Sequence, residues 1–256
     1  MAALAAGWKF ILPALKLLKG GKFLLTGVTM LVSIGVYSIR FGWKFAMGFV
    51  LCIFVHEMGH VLMAKKQGVP VTAPIFIPFF GALILQKKWA STAWGEALIG
   101  IGGPIGGGLS AFACWAIYLA TGNPLFLALA YFAFFMNLFN LTPIFPLDGG
   151  WIVGAISPYL WVGGLVIFAG LAITRVVTSP LIWLLIIISL PHVWSALKAG
   201  KAYPGALETT KQQKLLMGAC YLSLCGVLVA GMVVTETELH TLMPRRTTSR
   251  APVQAQ

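Results

Sequence analysis

Long apolar runs separated by short basic or Pro/Gly-rich breaks make up most of this 256-residue chain. Read for helical length, they predict membrane-crossing helices at about 23–39, 45–64, 97–119, 124–142, 158–173 and 180–197. A seventh is expected at about 215–234. The expectation is an all-α polytopic membrane protein with six (five to seven) transmembrane helices. One stretch breaks the pattern. In residues 69–86, Pro70, Pro74 and Pro78 exclude a continuous helix, while β-branched and aromatic residues around Gly81 predict a β-hairpin. Open strand edges are not tolerated against lipid. The hairpin should therefore be re-entrant or interfacial, packed on protein or lining a wet cavity.

The ends read differently. In residues 1–22, Trp8, Ile11, Leu12, Leu15 and Leu18 recur at helical spacing among Lys9, Lys16 and Lys19. This is the pattern of a basic amphipathic segment at the membrane surface, or of an ordinary lead-in. Residues 23–235 read as one transmembrane domain, and 236–256 as a disordered tail, most clearly from 244 onwards.

Composition supports the membrane class: 59% of residues are hydrophobic and 9% charged, where a soluble domain carries roughly a quarter charged. The net charge of +12 raises nucleic acid as a partner. The basic residues, however, sit in short clusters between apolar segments, as topology signals do, and nucleic acid is excluded. With the N-terminus in the cytoplasm, twelve lysines fall on the cytoplasmic side against six basic residues opposite, which follows the positive-inside bias. The expected location is a prokaryotic cell membrane, multi-pass. Nothing in the sequence indicates an oligomer.

Candidate chemistry is concentrated at His56-Glu57-Met58-Gly59-His60, an HExxH motif inside the second apolar segment. Ionisable groups cost several kcal/mol near the middle of a bilayer, so three of them need a reason. Helix positions i and i+4 share a face. Both imidazoles can then grip one Zn²⁺, with Glu57 between them as general base. On the chosen topology His60 and His56 lie about 6 and 12 Å inside the cytoplasmic boundary at 1.5 Å per residue, within reach of cytoplasmic water.

A catalytic zinc needs a third protein ligand and an open position. The candidates are Asp148, in a Pro/Gly-rich break after the fourth helix, His192 in the sixth segment and His240 near the tail. Cys52, four residues before His56, reads as a core residue rather than a ligand. The cysteines form no CxxC pair, so neither a disulfide framework nor a thiolate zinc site is expected. Glu96 reads as a charge at a helix N-terminus, and Asn137 as a helix–helix hydrogen-bonding residue.

The HExxH with Ala64 and Gly68-Val69, followed by Asn140-x-x-Pro143-x-x-Pro146-Leu147-Asp148-Gly149-Gly150, resembles the site-2 proteases, intramembrane zinc metalloproteases. The resemblance covers roughly residues 45–155. It implies one zinc held by His56, His60 and Asp148, with Glu57 as the base. It also implies that Asn140 positions the substrate or supports the oxyanion. One element departs. Many members carry Gly-Pro-x-x-Asn in the third helix, and here Gly103-Pro104-Ile105-Gly106-Gly107 ends on glycine. The glycines at 102, 103 and 106–108 read as a close helix-packing face. Within these residues no stretch resembles the PDZ-like or CBS-like modules of many relatives.

The implied activity is hydrolysis of a peptide bond in or near a transmembrane segment of a membrane-protein substrate. Two other readings use the same ligands. A metal transporter would show repeats and paired broken helices, and this chain shows one break, at 142–150. A catalytically silent binding scaffold would need no Glu57.

Overall fold

In a computed structural model, residues 21–174, 180–203 and 206–242 are described. The expected amphipathic segment at 1–20 and the tail from 243 onwards lie outside them. The element order is α1 (Gly21–Phe41), α2 (Trp43–Lys66), β1 (Ile75–Ile77), β2 (Gly81–Leu83), α3 (Ala93–Thr121), α4 (Pro124–Asn140), α5 (Asp148–Gly154), α6 (Tyr159–Ile173), α7 (Pro180–Ala199) and α8 (Lys211–Leu242). Among the described residues, α1, α2, α3, α7 and α8 are long and apolar enough to cross a membrane. Helices α4 and α6 are apolar but shorter. The protein is a polytopic helical membrane protein with a small β-hairpin. Its outer surface is lined by exposed aliphatic side chains such as Ile39, Leu109 and Leu222, as a lipid-facing surface requires.

Local chemistry sets the helix boundaries. Gly42, at φ 80°, separates α1 from α2, a conformation that glycine adopts without steric cost. Thr92 caps α3 by accepting from the Gly95 amide at 3.0 Å. Gly122 ends α3 in the left-handed region. Asn123 then caps α4, accepting from Leu125 N at 3.0 Å, with Pro124 in the first turn.

The hairpin predicted at 69–86 is present. Strands β1 and β2 pair antiparallel, Phe76 opposite Ala82, and an isolated bridge joins Val71 to Gln86. It packs on protein, against α1. Thr26 Oγ1 donates to the Pro74 carbonyl at 2.7 Å, and the Phe79 amide donates to the Tyr37 hydroxyl at 2.9 Å.

One expectation is corrected. Residues 236–242 are helical rather than disordered, because α8 runs on to Leu242. Thr235 and Thr237 turn their hydroxyls onto carbonyls one turn back, and Trp115 Nε1 donates to Glu238 Oε2 at 3.4 Å. Glu96 lies in the first turn of α3, as expected, and is fully buried. It accepts from the Ala90 amide and from Gln86 Nε2, so it ties the hairpin's exit to α3.

The core forms where α3, α4 and α8 meet. Phe134 is fully buried, packed among Ala111, Ala130 and Leu228. A Cβ on Gly231 of α8 would lie 2.6 Å from the Phe134 ring. Small residues in one helix thus admit large ones from the next, the usual packing solution inside a bilayer.

Candidate metal centre

One helix, α2, carries His56, Glu57 and His60 on successive positions of a buried face. Its partner α3 offers no side chains there. A Cβ on Gly103 would lie 2.1 Å from His60 Nε2, and one on Gly106 2.9 Å from the Val55 carbonyl. The packing role expected of the glycine face is thus met, and the same face leaves the imidazoles their space.

Asp148 arrives from the other side, as the first residue of α5. The Pro/Gly segment before it turns the chain back beneath α4. Its two following glycines are the tightest points: a Cβ on Gly149 would meet the Leu141 carbonyl oxygen at 2.0 Å, and one on Gly150 the Ile144 carbonyl at 2.6 Å. The segment is pinned by Trp161 Nε1 donating to the Gly150 carbonyl at 2.7 Å and by Tyr221 donating to the Leu141 carbonyl. A loop near residue 200 closes it, with the Tyr203 hydroxyl donating to the Trp151 carbonyl.

The three side chains converge. His56 Nε2 lies 3.2 Å from Asp148 Oδ2, and His60 Nε2 lies 3.2 Å from Asp148 Oδ1. The two Nε2 atoms are 3.2 Å apart. The other ring nitrogens point at carbonyl oxygens. His60 Nδ1 meets Ile99 O at 2.8 Å, and His56 Nδ1 meets Asn137 Oδ1 at 2.7 Å. Carbonyl oxygens only accept, so both protons belong on Nδ1 and both Nε2 lone pairs face the carboxylate.

Acceptors therefore face acceptors, and Asp148 Oδ2 is buried without a hydrogen-bond donor. A cation resolves that arrangement. The ligand atoms lie within 4.8 Å of one another, and two imidazoles with one carboxylate leave a fourth position open, as catalytic zinc sites do. The donor set fits zinc.

Glu57 is 6% exposed and within electrostatic range of both imidazoles and Asp148. Asn140 is half-buried at the end of α4, one residue before the Leu141 turn. The remaining candidates lie outside this cluster. Cys52 Sγ faces Cys114 Sγ at 3.9 Å in the core, His192 stacks on Phe145 at 4.0 Å, and His240 is exposed beside Glu236. Asn137 makes the helix–helix hydrogen bond expected of it, but the sequence did not predict that its partner is His56. The asparagine's polarity in an apolar helix was a visible signal, but its bond to a ligand histidine spans 81 positions.

Residues 44–129 match the model of peptidase family M50. A zinc metalloprotease of Methanocaldococcus jannaschii is 33% identical over 139 residues. Over these residues the chain is similar to the zinc metalloproteases of that family. The match to that relative takes in 50% of this chain and 39% of the relative's own length. The solved structure of a site-2 protease from the same archaeon is 26% identical, covering 72% of this chain and 91% of that one, at a TM-score of 0.44. The part matched by the M50 model holds the HExxH helix and the glycine face of α3, and it ends before the aspartate. Asp148 as a third candidate ligand therefore stands on the geometry of α5 itself.

Proposed function

We propose that this protein is an intramembrane zinc metalloprotease that hydrolyses a peptide bond in or near a transmembrane segment of a membrane-protein substrate. The observation that carries the reading is the meeting of His56, His60 and Asp148 around one point, with Glu57 buried next to it. A bound zinc ion supplies Lewis acidity, polarising the scissile carbonyl and making the attacking water easier to deprotonate.

The chain's own groups do the rest. Glu57 takes the proton from the attacking water and returns it to the leaving amine. Its burial keeps bulk water from competing for that proton. A substrate helix hides its carbonyls in i to i−4 hydrogen bonds, so it must unwind before attack. The hairpin of β1 and β2 offers an edge on which an unwound stretch could add as a strand. Asn140 makes no side-chain hydrogen bond to a described residue, which leaves its amide free to hold the substrate or the developing oxyanion. The N-terminus is cytoplasmic and the site opens toward that side, following the distribution of lysines. The partners are the bilayer and the substrate.

The test is cleavage of a model single-span substrate in liposomes, with and without chelator. Metal-dependent cleavage is expected. In Glu57→Gln it is abolished while zinc stays bound. Metal-dependent cleavage that survives Glu57→Gln removes the base assignment. Zinc flux without cleavage favours a transporter instead.

A further inference from the structure

The two ligand histidines are held by different kinds of acceptor. The Nδ1 proton of His60 goes to a backbone carbonyl, Ile99 O, which no substitution removes. That of His56 goes to a side chain, Asn137 Oδ1, at 2.7 Å. Asn137 is fully buried. Its own Nδ2 donates to Ala133 O at 2.7 Å, one turn back in α4. With the amide nitrogen committed there, the oxygen must face the imidazole, and it can only accept.

The opposite wall is Gly107. A Cβ at that position would lie 2.1 Å from Asn137 Oδ1 and 2.4 Å from Nδ2. Helix α3 therefore leaves a slot one side chain wide, and Asn137 fills it from α4. A hydrogen bond between helices would satisfy the asparagine with any acceptor or donor on α2. The atom it meets is Nδ1 of His56, whose protonation leaves a lone pair on the Nε2 that faces Asp148.

We infer that Asn137 is a positioning residue of the metal centre, fixing the tautomer and ring orientation of His56, and that Gly107 keeps the slot open for it. The inference rests on the zinc-site reading above. Acceptors behind a ligand histidine typically change metal affinity by about 10–100-fold when removed.

The full chain in detergent, freed of metal, is titrated with Co²⁺ and with Zn²⁺ against a chromophoric chelator. Asn137→Leu should bind about 10–100-fold more weakly than wild type and shift the Co²⁺ absorption bands. Gly107→Ala should weaken binding although Asn137 is still present. In metal-free protein, ¹⁵N NMR should find the unprotonated nitrogen of His56 at Nε2 in wild type and a mixture of tautomers in Asn137→Leu. Wild-type affinity in Asn137→Leu overturns the inference while leaving the zinc site standing. A wild-type chain that binds neither ion removes the zinc site and the inference together.

Discussion

Gly59 of α2 lies against the backbone of Gly102 on α3, where a Cβ on Gly59 would stand 2.1 Å from the Gly102 carbonyl oxygen. These two residues set the spacing of the helices exactly one position before His60. Neither backbone can give way as a flexible side chain could. Gly59→Ala should therefore push α2 and α3 apart, costing about 1–3 kcal/mol or more by overpacking. Gly35 on α1 has open space around it, so Gly35→Ala should be neutral or slightly stabilising, by up to about 1 kcal/mol. Denaturation of both variants in detergent checks the contrast. Equal stabilities would mean that the glycine contact does not control the spacing.

Asp148 supplies the oxygen that faces both imidazoles. Asp148→Ala should leave two nitrogen donors, too few for tight zinc, and the isolated chain should carry far less than one equivalent by metal analysis. Ligand binding stabilises the folded state by an amount that grows with the logarithm of ligand concentration over Kd, about 2.7 kcal/mol at a hundred times Kd. Zinc should therefore raise the melting temperature of wild type, chelator should reverse it, and Asp148→Ala should show neither change. A full complement of metal in that variant would take Asp148 out of the ligand set.

Gly149 has no such chemistry but is as constrained. Its Cβ would lie 2.0 Å from the Leu141 carbonyl oxygen, so Gly149→Ala must move the start of α5. Because Asp148 is the adjoining residue, zinc affinity should fall at least about tenfold, as it does when a ligand's support is disturbed. The same competition titration reads it. Unchanged affinity would show that α5 can shift without carrying its aspartate along.

The shared face of His56 and His60 was legible in the sequence because both lie about one turn apart on one helix, where spacing alone fixes their relation. The hairpin was legible for a similar reason, since three prolines exclude the alternative locally. Asp148 needed more. Its Pro/Gly setting marked a turn, and only the resemblance joined that turn to His56. Relations made purely by tertiary packing were not legible. Asn137 reaches His56 across 81 positions. The burial of Glu96 under the hairpin's exit is another such relation, although its place in a first turn was expected. The end of α8 was missed because hydropathy falls after Val234, while threonine hydroxyls bonded within the helix and a tryptophan on α3 sustain it.

The hairpin's attachment to α1 gives the last prediction. Phe79 sits at the turn with φ 67°, an uncommon conformation for a residue with a side chain. Its amide donates to the Tyr37 hydroxyl at 2.9 Å, and its ring meets the Tyr37 ring edge-on at 5.7 Å. Tyr37→Phe keeps the ring contact and removes only the acceptor. The loss should be about 0.5–1.5 kcal/mol, felt locally. Hydrogen exchange should quicken at residues 75–83 by roughly the corresponding factor, about 2- to 12-fold at 1.4 kcal/mol per decade, with no change in α3. If the hairpin receives the unwound substrate, cleavage should slow in parallel while zinc affinity stays at the wild-type value. Faster exchange with undiminished cleavage would separate the hairpin from substrate binding and leave it a structural element of the α1 face.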